Sequence, residues 1–264
     1  MSSASWDYIQ FKEAFYKETG LNLDSYKDKQ MERRIRQLMQ RQDKLGFRIF
    51  YEYLAESPSA MEYFFNYLTI NTSEFYRDEK VYARLKEEIF PELLSNHHGI
   101  LTIWSAGCSI GAEPYTVAII FDELGALHRI QLIGTDMDDK ALLAAKNGSY
   151  KKKYLDKIPP ETVDNYFRVE EEDYCLRPEI CRAVTFRRHN LLVDDPVSAC
   201  SMILCRNVFI YFKAETQNFL LGRFSSQLKP GGFLVIGSAE YISHPEKFGF
   251  KKRHNTIYEK IGSQ

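Results

Sequence analysis

The chain has 264 residues, of which 44% are hydrophobic and 14% aromatic, enough for one large domain or one domain with a smaller companion. Its formal net charge of −1 gives the chain as a whole no electrostatic attraction to nucleic acid. No apolar run approaches the roughly 18 residues that span a bilayer, and the N-terminus lacks the features of a signal peptide. We therefore expect a cytoplasmic protein without membrane insertion. The five cysteines form no Cys-x-x-Cys pair and no cluster with histidine, which predicts reduced thiols and no bound metal.

The N-terminal part is predicted to be helical throughout, because apolar residues recur there at spacings of three and four. The most basic stretch is predicted to be a helix over 27–48, capped by Asp24 or Ser25 at its start and by Gly46 at its end. From Asp24 to Phe50 the chain carries eight basic and four acidic residues. The outward basic side chains form either a solvated helix face or a docking face for an acidic protein partner.

Beyond about residue 81, apolar runs alternate with helical patterns, which is typical of a parallel sheet covered by helices on both faces. The predicted fold class is therefore α/β, with a small all-α N-terminal domain. The candidate strands are 101–104, 130–135, 183–188, 201–205, 231–237 and a terminal one near 256–260.

One connection is too long for an ordinary link between a helix and a strand, since it runs from Gly148 to Thr185. Within it, two short alternating segments flank the acidic turn at 170–172 and predict a hairpin-like antiparallel insertion. Such an insert either binds a partner or is a surface addition without a role of its own. We expect an all-helical domain at 1–70, a linker and helix at 71–90, and an α/β domain at 91–264 with the insert at about 150–184.

The most informative motif runs from the strand at 101–104 through a turn that contains Gly107 and Gly111. These glycines remove side chains where the backbone must pass close to a ligand, and the helix that opens near Glu113 offers free amides. A second apolar run ends on Asp136, where dinucleotide-type folds hold ribose hydroxyls. The pattern predicts one strand–helix–strand unit that binds a nucleoside cofactor, although an ordinary turn without a ligand is the alternative.

The glycine spacing departs from G-x-G-x-x-G, and this departure bears on the cofactor. A diphosphate needs neutral or positive surroundings, whereas Glu113 places a carboxylate at the helix start. S-adenosylmethionine fits better, because it has a ribose for Asp136, no phosphate, and cationic groups that tolerate a nearby acid. An NAD-dependent oxidoreductase is disfavoured, because the chain lacks the G-x-G-x-x-G spacing and a histidine placed for hydride-transfer chemistry.

Three motifs together resemble the CheR family, the glutamate O-methyltransferases of chemotaxis receptors. They are Asn-Thr-Ser-Glu-Phe-Tyr-Arg at 71–77, Ser-Ala-Gly-Cys-Ser-Ile-Gly-Ala-Glu-Pro-Tyr at 105–115, and Cys-Arg-Asn-Val-Phe-Ile-Tyr-Phe at 205–212. The resemblance covers nearly the whole chain. It implies a Rossmann-like methyltransferase domain that uses S-adenosylmethionine and releases S-adenosylhomocysteine, with an all-α N-terminal domain and an inserted β-subdomain.

The resemblance also implies roles for individual residues. Gly107 lies in the cofactor loop, Tyr211 reaches the transferring methyl group or the substrate carboxylate, and Arg77 and Tyr211 are the implied catalytic pair. The other implied cofactor contacts are Asn71, Ser73 and Arg77 at the methionine end, Glu113 near the amine, Asp136 at the ribose, Asn190 and Leu191 beside adenine, and Arg206 and Asn207 closing the pocket.

Each of these segments also has a purely structural interpretation. The segment 71–77 links two domains, Arg206 and Asn207 are polar residues at a strand end, and Tyr211 is a core aromatic. A non-catalytic module that senses S-adenosylmethionine or its product is the alternative function. A nucleic-acid methyltransferase is disfavoured, because the basic run lacks interleaved aromatic residues.

For a CheR-like enzyme the implied partner is the cytoplasmic helical bundle of a methyl-accepting chemoreceptor. The basic helix at 27–48 is the expected docking face for that bundle, and we expect a monomer. Family members that tether to a receptor C-terminal peptide carry glycines in the turn of the β-subdomain, whereas the turn at 170–173 has none. Tethering by that route is therefore disfavoured.

Overall fold

The structure is a computed structural model that describes residues 6–69 and 73–262. The chain divides into two compact units. The first unit comprises Met1–Ile70 and Tyr211–Gln217, and the second comprises Asn71–Ile210 and Asn218–Gln264.

Between residues 6 and 69, the first unit packs four α-helices around an aromatic core. Asp7 caps the first helix in a capping box with Gln10, and Gly20 ends it in a left-handed conformation with φ of 72°. Phe11, Phe15 and other aromatic rings lie fully buried between the helices. The helices are α1 Tyr8–Thr19, α2 Asp28–Arg41, α3 Phe47–Glu56 and α4 Pro58–Thr69.

The basic run at 27–48 is not one helix, which corrects the prediction. Helix α2 ends at Arg41, and the basic run continues through a loop into α3. Lys27 stands at the N-cap of α2 without a capping side chain, and Gly46 precedes α3 rather than ending α2. Neither Asp24 nor Ser25 caps α2, because both lie in a short 3-10 turn before it.

The segment Tyr211–Gln217 completes the first unit. Its backbone pairs with the chain just before α2, where the amide of Lys27 donates to the carbonyl of Tyr211 at 2.9 Å and the amide of Lys213 donates to the carbonyl of Ser25 at 3.0 Å. The Lys213 ammonium also lies 2.7 Å from the carboxylate of Asp28.

The second unit contains a seven-stranded sheet in the order β6-β2-β1-β7-β8-β10-β9. The first five strands of this order are parallel, and β10 and β9 are antiparallel additions at one edge. All six predicted strands are present, and the three-residue β9 was not predicted. The strands of this sheet are β1 Leu101–Ala106, β2 Ile130–Asp136, β6 Val184–Arg188, β7 Cys200–Cys205, β8 Leu228–Ile236, β9 Phe250–Lys252 and β10 Ile257–Lys260.

A second, three-stranded antiparallel sheet has the order β3-β5-β4. Its strands are β3 Ser149–Lys151, β4 Phe167–Glu170 and β5 Asp173–Leu176. The hairpin of β4 and β5 around the acidic turn was predicted, whereas β3 was not. The predicted α/β fold with a small antiparallel sheet and an all-α N-terminal part is thereby confirmed.

Helices flank the large sheet and lead the chain between its strands. A π-helical segment, Leu85–Ile89, joins α5 to α6. Among the described residues, no helix has the length and apolar character that crossing a membrane requires. The helices are α5 Glu79–Arg84, α6 Phe90–Asn96, α7 Ala112–Glu123, α8 Asp139–Asn147, α9 Pro160–Tyr166, α10 Pro178–Arg182 and α11 Ala214–Gln227.

The sheet topology determines where a ligand can bind. The chain moves outward from β1 to β2 and β6, and then crosses to β7 and β8 on the other side of β1. Such a reversal opens a crevice at the carboxyl ends of the two strands that flank it, here β1 and β7. The candidate site residues that follow β1, β2, β6 and β7 all belong to this end of the sheet.

Candidate active site

The turn after β1 is held against the end of β2. The amides of Gly107 and Cys108 both donate to the carbonyl of Thr135, at 2.8 and 2.9 Å. Gly107 has φ of +84°, and a Cβ atom there would lie 2.8 Å from Cγ2 of Val208. Only glycine meets both conditions without strain, so a side chain at this position would not fit beside Val208. The close approach of this turn to a ligand remains a prediction.

Asp136 ends β2 beneath this turn. Its two carboxylate oxygens accept from the amides of Ser109, at 2.8 Å, and Asp138, at 3.0 Å. Burial raises the pKa of Asp136, although these backbone hydrogen bonds oppose the shift. Each carboxylate oxygen can accept more than one hydrogen bond, so Asp136 retains capacity for ligand hydroxyls.

Arg206, directly after β7, is the centre of a buried ionic cluster. Its side chain is 2% exposed and donates to the carboxylates of Asp78 at 2.7 Å and Glu113 at 3.3 Å. It also donates to the hydroxyl of Tyr82 at 3.0 Å and to the carbonyl of Arg77 at 2.7 Å. Burial alone would lower the pKa of Arg206, but Tyr82, Glu113 and Asp78 outweigh it and raise that pKa. The guanidinium therefore stays charged and joins α5, α7 and the segment before α5.

Glu113 has partners on both of its carboxylate oxygens. One oxygen accepts from the guanidinium of Arg206, and the other accepts from the hydroxyl of Ser105 at 2.7 Å. Glu113, in the first turn of α7, is thus fixed by residues at the ends of β7 and β1. Its contact with a cofactor amine remains a prediction.

Glu240 belongs to this strand end and was missed from the sequence. Its carboxylate accepts from the backbone amides of Gly237, Asn207 at 3.0 Å and Ile210 at 3.3 Å, and burial raises its pKa. Asn207 has φ of +61°, a left-handed conformation that a buried hydrogen bond helps to hold. A Cβ atom at Gly237 would lie 2.8 Å from the amide nitrogen of Asn207. The available signal was a glutamate just after the buried strand β8.

Asn190 follows β6 in a tight turn. The preceding residue, His189, donates its amide to the carbonyl of Asp136 at 2.8 Å, which joins the ends of β6 and β2. The side-chain oxygen of Asn190 accepts from the amide of Leu192 at 3.0 Å, and its own amide donates to Asp194 at 2.8 Å. Asn190 therefore shapes the turn, and Leu191 is half-buried within it.

The first motif enters the second unit through buried aromatic contacts. Phe75 is fully buried, with its ring 4.9 Å from that of Tyr150 in an edge-to-face arrangement. The amide of Tyr76 donates to the hydroxyl of Thr116 on α7 at 3.2 Å. Ser73 and Arg77 are half-buried on either side of these anchors.

Asn71 and Tyr211 differ from the other predicted site residues. Asn71 lies outside the described residues. Tyr211 belongs to the first unit, where its carbonyl accepts from the amide of Lys27. The structure therefore brings Arg206, Glu113 and the backbone of Arg77 into direct contact, and it joins Gly107 and Asp136 through neighbouring strand ends.

These residues fit S-adenosylmethionine better than a dinucleotide. The strand ends present the carboxylates of Asp136 and Glu113, which suit hydroxyl and ammonium groups, whereas a diphosphate would be repelled. The Nε atom of Arg206 is buried without a hydrogen-bond partner among the described residues, so one donor remains for a ligand acceptor. Among the described residues, no group of three or more His, Cys, Asp or Glu side chains is arranged to hold a metal ion.

A mostly parallel sheet with a glycine turn after its first strand and an acid after its second defines a Rossmann-like nucleoside-cofactor domain. Residues 6–69 match the family described as "CheR methyltransferase, all-alpha domain", and residues 71–257 match "CheR methyltransferase, SAM binding domain". The chain therefore belongs to the CheR methyltransferase family, as the three sequence motifs predicted.

Full-length relatives agree with this assignment. A chemotaxis protein methyltransferase of Listeria innocua is 32% identical over 254 residues, which cover 96% of this chain and 97% of the relative. One from Listeria monocytogenes is 31% identical with the same coverage of 96% and 97%. Chemotaxis protein methyltransferase 1 of Pseudomonas aeruginosa is 33% identical over 256 residues, 92% of this chain and 93% of the relative.

Proposed function

We propose that this chain transfers the methyl group of S-adenosylmethionine to glutamate side chains of chemoreceptors, giving glutamyl methyl esters and S-adenosylhomocysteine. The family supports the cofactor, and the relatives' names support a role in chemotaxis. The observation that carries the proposal is the contact of Arg206 with Glu113, together with Asp136 at the end of β2, on the same side of the sheet as the topological switch point.

Each residue of the pocket has a proposed task. Asp136 accepts from the ribose hydroxyls. The two backbone amides that fix its carboxylate leave further acceptor positions on both oxygens. Arg206 holds Glu113 in place for the methionine amine. The remaining proposed contacts are Asn71, Ser73 and Arg77 at the methionine end, Gly107 at the turn, Asn190 and Leu191 beside adenine, and Asn207 at the pocket's edge.

When bound, S-adenosylmethionine supplies an electrophilic methyl group on a sulfonium cation. Attack by a carboxylate joins a cation and an anion and yields neutral products, so the charges diminish toward the transition state. The chain's contribution is to exclude water and to hold the two reactants in line. Arg77 and Tyr211 are the proposed orienting groups for the carboxylate.

The reaction needs no general base, because a glutamate side chain is already ionised at neutral pH. The nearby thiol of Cys108 does not compete as a nucleophile. Burial, together with the carboxylates of Asp136 and Glu113, holds the pKa of Cys108 well above its usual range, so the thiol stays protonated.

Docking of the receptor is proposed for the exposed basic face of α2. A shallow groove of about 390 Å³ on this helix is lined by basic and amide side chains and one acid. Arg33 and Arg36 are exposed there, and their charge complements an acidic helical bundle. Because that bundle is cytoplasmic, the proposal places the enzyme in the cytoplasm. The lining residues are Lys29, Glu32, Arg33, Arg36, Gln37 and Gln40.

The test begins with calorimetric titration of the purified chain with S-adenosylmethionine and S-adenosylhomocysteine. Transfer of a tritiated methyl group to chemoreceptor-containing membranes follows, with release of the label by base as the readout for an ester. Binding together with base-labile label supports the proposal. Binding without label on several receptors favours the sensing module, and absence of binding to both ligands contradicts both functions.

A further inference from the structure

The second unit holds a basic cavity of about 620 Å³, separate in its chemistry from the acidic strand-end site. We use "basic cavity" for the space bounded by Lys80 and Arg84 of α5, Lys252 of β9, and the turn Arg253–Thr256. Four of its lining side chains are lysines or arginines, and none is a carboxylate. This volume lies within the roughly 300–1,000 Å³ typical of small-molecule sites.

The two arginines of the cavity are held in fixed positions. The guanidinium of Arg253 donates to both oxygens of Glu92, at 3.1 and 2.9 Å, and to Glu259 at 3.0 Å. Arg84 pairs with Glu88 at 3.0 Å. These carboxylates lie outside the cavity lining, so they order the arginines without filling the space.

The two lysines are not neutralised in the same way. Among residues 6–69 and 73–262, no carboxylate lies within 4.0 Å of the ammonium group of Lys80 or Lys252. The Lys252 ammonium instead lies 5.8 Å from the centre of the Tyr241 ring. Two uncompensated cations that border one concave space create a positive potential that favours an anion.

The turn between β9 and β10, which borders the cavity, contains backbone amides without a protein acceptor among the described residues. The amides of Arg253 and His254 donate to the carbonyl of Ile257, whereas those of Asn255 and Thr256 donate to no acceptor in the described part of the chain. Successive amides without partners in a turn are a common element of anion-binding sites.

We propose that the basic cavity binds a small molecule that carries phosphate groups. The mixture of arginine, lysine and amide donors matches several phosphate oxygens at once, and a cavity of about 620 Å³ has room for a small polyanion. The sulfonium and ammonium groups of S-adenosylmethionine make it a poor ligand for this basic cavity. The proposal is independent of the methyl-transfer reaction.

The cavity shares helix α5 with the ionic cluster. Lys80 and Arg84 lie on the same short helix as Tyr82, whose hydroxyl accepts from Arg206. A ligand that fixes this helix therefore acts on a residue that positions Arg206.

The test uses inorganic tripolyphosphate as the probe, titrated calorimetrically into the full chain at low salt. The double variant Lys80→Gln with Lys252→Gln is expected to weaken binding by about tenfold or more, because it removes the two uncompensated charges. Both lysines are exposed, so folding is preserved. The matched control, Lys247→Gln with Lys251→Gln, changes the net charge equally at exposed sites outside the cavity, and its binding is expected to change by less than about twofold.

Three results would overturn the proposal. They are absence of tripolyphosphate binding by the unmodified chain, equal weakening in both double variants, and unchanged binding in the cavity variant. Tetraglutamate is titrated in parallel, since an acidic protein segment is the competing ligand. Binding of tetraglutamate without tripolyphosphate would replace the phosphate ligand with an acidic peptide.

Discussion

Arg206 in the second unit and Arg36 in the first unit show two uses of the same side chain. Arg206 is 2% exposed and contacts two carboxylates, a hydroxyl and a backbone carbonyl. The side chain of Arg36 is 55% exposed, pairs with Glu32 at 2.7 Å and lies over the ring of Phe47. The buried arginine connects distant segments of the chain, whereas the exposed one is connected to its own helix turn and one ring.

The difference determines which arginine is free to serve a partner. A buried ion pair is costly to disrupt, since removal of one member leaves the other charge buried without compensation. An exposed pair within one helix contributes a few tenths of a kcal/mol and exchanges readily with water or another protein. The first kind of arginine shapes a site, and the second kind remains available for docking.

The largest expected effect comes from Arg206→Ala. Loss of the guanidinium leaves Asp78 and Glu113 without their cation, so we expect a loss of about 3–5 kcal/mol in the free energy of unfolding. Urea denaturation measures this loss, and methyl transfer is expected to disappear with it. Arg36→Ala is the matched control, with an expected change below about 0.5 kcal/mol. Similar losses in the two variants would contradict the contrast.

A second test concerns the buried carboxylate that sequence analysis missed. Glu240→Gln keeps the side-chain shape but directs an amide N–H toward backbone donors, so we expect a loss of about 2 kcal/mol. The affinity for S-adenosylhomocysteine should fall as well, because Asn207 loses a partner. Glu246→Gln, at an exposed position, serves as the control. A stable variant with full affinity would show that Glu240 does not hold the loop after β7.

The third test uses the titration of Asp136. Its pKa is raised by burial, so it takes up a proton at a higher pH than an exposed aspartate. At pH values above this pKa, the buried charge lowers the free energy of unfolding. Acidification protonates the carboxylate and removes this loss of stability. The affinity for S-adenosylhomocysteine is expected to fall on acidification, because the ribose hydroxyls lose their ionised acceptor.

Calorimetry at successively lower pH, starting from neutral, should therefore show weakening affinity in the unmodified chain as Asp136 takes up its proton. Asp136→Asn should bind about tenfold more weakly at neutral pH and should lack this dependence. Asp139→Asn, exposed at the start of α8, is the control. Retention of the pH dependence by Asp136→Asn would assign it to another group.

The smallest effect on stability, and a specific effect on function, is expected for Arg33→Glu with Arg36→Glu. Both side chains are exposed, so the free energy of unfolding should change by less than about 1 kcal/mol. Cofactor affinity should stay constant, while the rate of receptor methylation should fall. Lys247→Glu with Lys251→Glu gives the same change in net charge in the second unit. Full receptor methylation by the arginine variant would exclude α2 as the docking face.

Regular patterns made most of the fold predictable. The long buried strands appear in the sequence as apolar runs, and their observed bounds lie close to the predicted ones. The three-residue strands Ser149–Lys151 and Phe250–Lys252 escaped prediction, because so short a segment shows no periodicity. Their existence depends on pairing with strands elsewhere in the chain.

Local sequence indicated where the candidate site residues lie along the chain, but it did not indicate which of them contact one another. Asp136 and Gly107 follow strands, and local sequence indicates such positions. The pairing of Arg206 with Asp78 and Glu113 is a long-range contact that no local pattern reveals. Two of the partners of Glu240, Asn207 and Ile210, become its neighbours only after β7 and β8 pair, so its role was not visible in the local sequence.

The segment Tyr211–Gln217 has a consequence for the order in which the chain folds. During synthesis the four N-terminal helices leave the ribosome long before this segment, yet Ser25 and Lys27 bond to it and Asp28 pairs with Lys213. Domains commonly fold as they emerge, and contacts that are distant in sequence form slowly. The first unit therefore reaches its full set of contacts only after most of the second unit has been translated.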